Sequence, residues 1–217
     1  MKDAVEALGV PHTEIDLITV DGESVGFDHL IAANENICVY PHFSSLDITS
    51  LTRVRPPALM KHRFVVDVHL GRLARRLRLL GFDTLYRNDW NDAELARCSE
   101  QEGRILLSQD RGLLKRRRVR HGQLVRAHEP DRQLEEVIER FDLRPEISPF
   151  RRCPRCNTTL RRVAREAVAA RLPPRTRTAF EEFQECRSCG RLYWKGAHHR
   201  RLGRLLERLG PQPGTTS

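Results

Sequence analysis

The sequence predicts an α/β protein whose parallel sheet is flanked by helices and followed by a small cysteine-rich module. Between residues 62 and 148, short apolar runs alternate with helical patterns, which is typical of successive β–α–β units. Two Cys-x-x-Cys pairs follow. The charge is also divided along the chain. Three basic and nine acidic side chains give residues 1–55 a net charge of −6, and the remaining residues carry +15, which together make the net +9. This division favours several small domains over one large one.

Residues 1–43 are predicted to form one short helix followed by strands. The helix carries Val5 and Leu8, and it should end near Gly9 because Pro11 cannot continue it. The extended segments are expected at 15–20, 24–27 and 37–40, with a turn at Asp21-Gly22. Residues 44–61 contain a Pro-Pro pair and no strong hydrophobic period, so we expect a linker there.

Residues 62–148 are predicted to form the parallel sheet and its helices. Leucines recur at helical spacing from Leu70 to Leu80, and Gly81 is the expected end of that helix. The predicted strands are 64–67, 84–86, 105–107 and 123–126, and the predicted helices are 70–80, 93–102, 111–115 and 131–141. Residues 149–210 should form a cysteine-rich module with a C-terminal helix, and residues 211–217 a disordered tail.

Acidic residues stand where the predicted strands end. Asp67 directly follows one apolar strand, Asp110 lies just beyond another, and Asp92 opens the helix between them with Glu94 two residues later. Ligands of open parallel sheets bind at the carboxyl ends of the strands, and clustered carboxylates favour Mg²⁺ or Mn²⁺. The simpler alternative is that Asp92 and Asp110 only cap helices. Asp67 is harder to explain in that way, because an unused acid at the end of a buried strand is costly to desolvate.

The two cysteine pairs predict a structural zinc site. Cys153 and Cys156 are separated by 29 residues from Cys186 and Cys189, and four thiolates suit a closed tetrahedral Zn²⁺ site with no open position for catalysis. Redox activity is the alternative for a single pair, but the repeated pair favours zinc. The residues that follow the pairs, Asn157 and Gly190, are among the types best able to adopt positive φ. Cys38 and Cys98 are expected to be buried small hydrophobic residues, and His198 and His199 to face RNA or solvent.

The positive charge of residues 56–217 predicts binding to the phosphate backbone of a nucleic acid. Seven Lys or Arg residues and no acid lie between Arg111 and Arg126, directly after Asp110. A run of charge is often only a solvated face, but an excess of +15 is too one-sided for that explanation alone. The candidate RNA-binding residues are Arg72, Arg75, Arg111, Lys115, Arg116, Arg117, Arg118 and Trp194. Few aromatic residues are available for base stacking, so sequence-specific reading of RNA is not expected.

Three ordered motifs resemble the Mut-seven C-terminal RNase family. They are FVVDVHLGRLARRLRLLGFDT (64–84), NDAEL (91–95) and GRILLSQDR (103–111), and the resemblance continues through both cysteine pairs over roughly residues 62–207. It implies a PIN-like α/β nuclease fold, metal-dependent RNA hydrolysis and an attached zinc ribbon. Carried onto this sequence, the resemblance implies that the catalytic acids are Asp67, Asp92 and Asp110, with Glu94 as an alternative to Asp92. Asp131 is the candidate for a fourth acid.

The N-terminal segment resembles the ubiquitin-like domain that precedes this nuclease in many family members. The motifs LGVPHTEIDL (8–17) and VDGESV (20–25) carry the match. The chain begins at the helix, so we expect a partial domain that lacks the usual first hairpin. Without a terminal Gly-Gly, conjugation or sulfur transfer is not expected, and a protein-binding or RNA-shielding role is the remaining hypothesis.

Composition restricts the remaining function classes. No apolar run approaches the ~20 residues that span a bilayer, and the acidic N-terminus does not resemble a secretion signal. Paired cysteines of this kind are typical of metal binding in a reducing cytoplasm. We therefore predict a cytoplasmic endoribonuclease with catalytic Mg²⁺ or Mn²⁺ and structural zinc. The alternative is a non-catalytic protein that binds ribosomal or transfer RNA, and DNA remains open as a substrate.

Overall fold

The computed structural model describes residues 1–43, 46–56 and 59–194. The N-terminal domain contains helix α1 (Lys2–Ala7) and an antiparallel sheet in the order β2-β1-β3. The strands are β1 (Leu17–Val20), β2 (Glu23–Ser24) and β3 (Ile37–Tyr40). Val5 and Ile18 form the core of this domain together with Val54, which belongs to the segment predicted as a linker. That segment therefore contributes to the packing of the N-terminal domain.

The central domain is a four-stranded parallel sheet between two layers of helices. Its strands are β4 (Arg63–Val66), β5 (Asp83–Leu85), β6 (Ile105–Ser108) and β7 (Gly122–Leu124), in the order β5-β4-β6-β7. Its helices are α2 (Gly71–Leu79), α3 (Asp92–Glu102), α4 (Arg111–Leu114) and α5 (Pro130–Arg140). The boundaries of these elements agree with the prediction to within two residues, and every expected strand and helix of the region is present.

The alternation of side chains along the strands explains the three layers. Phe64 and Val66 face one side of the sheet and pack with α2 and α5, whereas Val65 faces the other side. The second side packs with α3 and α4 through residues such as Leu95 and Leu113. Each buried strand can therefore be apolar throughout, as parallel sheets require.

Glycines end helices α2 and α3, as predicted. Gly81 has φ +100° and Gly103 has φ +58°, both in the region that residues other than glycine rarely adopt. At Gly81 the space is also closed, because a Cβ there would lie 2.2 Å from the carbonyl oxygen of Ser148. These positions fix where α2 and α3 turn back toward the next strand.

The C-terminal module is an antiparallel sheet in the order β10-β9-β8. Its elements are β8 (Leu160–Val163), α6 (Arg165–Val168), α7 (Pro174–Ala179), β9 (Phe183–Cys186) and β10 (Leu192–Trp194). The two short helices lie between the cysteine pairs. The predicted C-terminal helix and tail, with His198 and His199, lie outside the described residues.

Acidic side chains attach the N-terminal domain to the basic central domain. Glu14 accepts hydrogen bonds from the Leu124 backbone N–H (2.9 Å) and from Arg126 (2.7 Å). Asp16 is 1% exposed and accepts from Arg140 (3.3 Å) and from Arg55. The opposite charges of the two parts of the chain therefore meet in one buried interface.

Burial alone would raise the pKa of Asp16, but hydrogen bonds from His42 and Arg55 and the charge of Arg140 hold it well below its usual range. A carboxyl whose folded-state pKa is lowered contributes stability above its unfolded pKa of about 3.9, and that contribution is lost as the pH falls through the folded-state pKa.

The Asp16→Asn variant should therefore be much less stable than the wild type at neutral pH. It breaks the ion pair between the buried Asp16 and the half-buried Arg140, and breaking a buried pair typically costs about 3–5 kcal/mol. Urea denaturation at pH 7 measures the loss, and the difference from the wild type should shrink below about pH 4. Asp28→Asn, at an exposed acid of the same domain, is the matched control and should stay within about 0.5 kcal/mol of the wild type. Equal destabilisation by both variants would contradict the interface.

Candidate active site and metal centre

Asp67 and Asp110 lie where neighbouring parallel strands β4 and β6 end. The chain crosses from one face of the sheet to the other between these strands, so a crevice forms at this point. Asp67 is 6% exposed, and its carboxylate accepts a hydrogen bond of 2.6 Å from the Ser108 hydroxyl. The same hydroxyl accepts the Asp110 backbone N–H at 2.9 Å. A single serine thus connects the two predicted acids.

Ser108 is the residue of this site that the sequence analysis missed. It is fully buried at the end of β6 and follows three apolar residues, so the signal was a small polar residue at the end of a buried strand. Its hydroxyl holds one oxygen of the Asp67 carboxylate in place. Among the described residues, Ser108 is the one side chain that hydrogen-bonds this carboxylate.

Asp110 is exposed and also caps α4, because its Oδ1 accepts the Gly112 backbone N–H at 2.7 Å. Both interpretations of Asp110 are therefore compatible with the structure. A capping carboxylate retains a second oxygen, and that oxygen can still bind a cation at the mouth of the crevice.

Asp92 and Glu94 lie at the N-terminus of α3 with other partners. Asn91, and not Asp92, caps the helix, and Glu94 completes the capping box by accepting the Asn91 backbone N–H at 2.8 Å. Asp92 is half-exposed and lies 3.3 Å from a guanidinium nitrogen of Arg116. Of the two acids, Asp92 is thus the one whose carboxylate is not used to hold the helix together.

The three strand-end acids do not converge as closely as four-thiolate metal ligands do. The four cysteines place their ligand atoms within 4.8 Å of one another. Within the described ranges, no other group of three or more His, Cys, Asp or Glu residues does so. Asp131, the candidate fourth acid, accepts from Arg76 at 2.6 Å. Asp67 and Asp110 are oxygen donors, the ligand type that a hard cation such as Mg²⁺ prefers. Asp92 would join them only after leaving Arg116.

Four cysteines form a second candidate metal centre, which fits zinc. Tetrahedral coordination with Zn–S of about 2.3 Å places sulfur atoms about 3.8 Å apart. The Sγ atoms of Cys153 and Cys189 are 3.8 Å apart, and all four sulfurs lie within 4.8 Å of one another. Every cysteine of the chain is free of disulfides. Asn157 and Gly190 have φ of 66° and 68°, as predicted for the turns after each pair.

The surroundings of Cys153 favour the thiolate that a metal needs. Burial alone would raise the pKa of Cys153, but hydrogen bonds from the Tyr193 hydroxyl and the Cys156 backbone N–H lower it below that of a free thiol. Of the two remaining cysteines, Cys98 is buried as predicted, whereas Cys38 is only half-buried.

The first cysteine knuckle (153–157) binds directly to the central domain. Asn157 accepts the Thr84 backbone N–H at 3.0 Å and donates to Asp83 at 2.7 Å. Arg78 is 4% exposed and donates to the carbonyls of Pro154 (3.2 Å) and Arg155 (2.8 Å). Arg78 of α2 therefore holds the two domains together.

Several of the candidate RNA-binding residues have partners within the chain. Lys115 donates to the backbone carbonyl of Glu6 in the N-terminal domain. Arg118 lies 3.7 Å from Glu100, and Arg116 pairs with Asp92 as described above. Trp194 packs in the core of the cysteine module beside Phe183, with ring centroids 6.3 Å apart. By contrast, Arg72, Arg75, Arg111 and Arg117 are exposed.

The parallel sheet with its flanking helices and the attached four-cysteine module define a PIN-like α/β class of domain. Comparison with protein families agrees. The model of the Mut7-C RNAse domain matches residues 62–206, and that of the Mut7-C ubiquitin domain matches residues 1–47. The chain therefore belongs to the Mut7-C RNAse family. No curated protein and no solved structure matches it, and no helix in the described part of the chain is long and apolar enough to cross a membrane.

Proposed function

We propose that this protein is a metal-dependent endoribonuclease that hydrolyses RNA at the ends of β4 and β6. The observation that carries the proposal is the bridge from Asp67 through the Ser108 hydroxyl to Asp110 at the point where the sheet topology switches. The family match supports a ribonuclease. The free thiols fit a reducing cytoplasm.

Bound Mg²⁺ or Mn²⁺ would activate water and neutralise charge on the phosphodiester. Asp67 and Asp110 would hold the ion, and Ser108 would keep the Asp67 carboxylate in position. Asp92 would complete the site, and Arg116 would then be free to bind a phosphate. Glu94 would keep α3 in place through the capping box rather than touch the metal. Cys153, Cys156, Cys186 and Cys189 would bind structural Zn²⁺.

RNA cleavage assays with and without added metal test this proposal. Single-stranded and structured RNA should be cut internally when Mg²⁺ or Mn²⁺ is added to zinc-loaded protein, and should stay intact without either ion. Single-stranded and duplex DNA in the same assay determine whether the activity is specific for RNA. Cutting that is independent of both ions would contradict the proposal.

A second candidate function is RNA binding without catalysis. It is favoured by the pairing of Asp92 with Arg116, which occupies one of the three predicted acids. In that case, RNA binding would weaken with salt as phosphate contacts do, and no metal ion would produce cleavage. Metal-dependent cutting would exclude this candidate.

A further inference from the structure

More than half of the Lys and Arg side chains in the basic segment 111–126 contact an acidic side chain or a backbone carbonyl of the same chain. Lys115 and Arg126 are held by the N-terminal domain, through the Glu6 carbonyl and the Glu14 carboxylate. Arg116 and Arg118 pair with acids of α3. Pairing within the protein reduces the charge that these four cations can offer to a phosphate. Among the described residues, Arg111, Arg117 and Arg120 are the exposed cations of this segment that pair with no acid.

Helix α2 carries exposed arginines that are not paired with acids in the described part of the chain. Arg72 and Arg75 are exposed, and no acidic side chain pairs with either among the described residues. Arg72 stands in the first turn of α2, only five residues after Asp67, and Arg75 follows about 4.5 Å further along the helix axis. Arg76, between them and α5, is neutralised by Asp131. The free positive charge of α2 therefore begins beside the candidate active site.

The C-terminal end of α2 extends this surface onto the cysteine module. The guanidinium of Arg78 binds the carbonyls of Pro154 and Arg155, which fixes the first knuckle against the helix. The side chain of Arg155 itself is exposed. Exposed arginines therefore run from Asp67, along α2, to the first knuckle.

We infer that RNA phosphates bind along α2 and the first cysteine knuckle, and that the N-terminal domain keeps Lys115 and Arg126 of segment 111–126 from RNA by binding both of them. This rests on the proposed function, because it names the surface that brings RNA to the same site. It also gives the acidic N-terminal domain a role, which is to direct RNA to one side of the sheet.

RNA binding by charge-removing variants tests this inference. The assay is fluorescence anisotropy with a labelled single-stranded 20-nucleotide RNA, in the Asp67→Asn background so that the RNA stays intact. Arg75→Gln and Arg155→Gln should each raise the Kd about three- to tenfold and lower the slope of log K against log salt by about 0.7, the value for one lost phosphate contact on a single strand. Lys115→Gln should change neither quantity. Arg97→Gln removes an exposed arginine from α3, on the other face of the sheet, and serves as the matched control.

The possible outcomes separate the two proposals. If Lys115→Gln weakens binding as much as Arg75→Gln does, the inferred surface is wrong while RNA binding itself stands. If the unsubstituted background does not bind RNA at any salt concentration, both the inference and the proposed function are rejected. Attachment of the N-terminal domain is measured without RNA, because Glu14→Ala removes the acceptor of the Leu124 backbone N–H and should speed hydrogen exchange at that amide. Unchanged exchange there would refute the shielding part of the inference.

Discussion

Replacing Asp67 by Asn should reduce RNA cleavage at least about 100-fold, which corresponds to about 2.7 kcal/mol of lost transition-state stabilisation. The substitution removes the negative charge that would hold the cation but keeps the shape of the side chain. An asparagine oxygen can still accept the hydrogen bond from Ser108, so the fold and the RNA affinity should survive. Initial rates at saturating RNA and metal, together with the anisotropy assay, measure both properties.

The control for this variant is Asp89→Asn. Asp89 is exposed in the loop after β5 and pairs with Arg87 at 2.7 Å. The substitution therefore removes one negative charge, as Asp67→Asn does, but outside the crevice. Its cleavage rate should stay within about twofold of the wild type, as expected for a surface change that touches no catalytic group. If Asp67→Asn retained the full wild-type rate, the catalytic assignment would have to be abandoned.

Replacing Cys156 by Ser should release the zinc and unfold the cysteine module. Structural zinc sites contribute about 10–16 kcal/mol of apparent binding free energy, and the core of this module contains few large side chains besides Phe183 and Trp194. Metal analysis should fall from about one zinc per chain, the expected stoichiometry of a four-thiolate site, to well below one. Cys38→Ser, at a half-buried cysteine outside the cluster, should keep its zinc.

Loss of the zinc should also be detectable in the central domain. Asn157 holds the Thr84 backbone N–H, so hydrogen exchange at this amide should accelerate in Cys156→Ser. A full equivalent of zinc in that variant would refute the four-cysteine site. Slow exchange at Thr84 in zinc-free protein would show that the knuckle keeps its shape without metal.

The order of elements in the central domain could be predicted because local signals agree there. Apolar runs mark β4 and β6, leucines at helical spacing mark α2, and Gly81 ends that helix with φ +100°. The turns at Asn157 and Gly190 were predictable for the same reason, since positive φ restricts residue type.

The partners of charged residues could not be predicted, because they depend on contacts between distant parts of the chain. Arg78 comes only three residues after the exposed Arg75, yet it is buried against carbonyls 76 and 77 residues away. Glu94 and Asp92 are two residues apart, and only the structure shows that Glu94 serves the capping box. The charge step along the chain predicted separate domains, but not that Glu14 and Asp16 would bind the basic one.

The N-terminal domain and the cysteine module also cover the two edges of the central sheet. Strands β5 and β7 are outermost, and each would present unpaired backbone groups to which another chain could add a strand. Asn157 of the cysteine module covers the Thr84 amide on one side, and Glu14 of the N-terminal domain covers the Leu124 amide on the other. The N-terminal domain and the cysteine module thus hinder edge-to-edge aggregation of the sheet. A fragment that contained the central domain alone would expose both edge strands, β5 and β7.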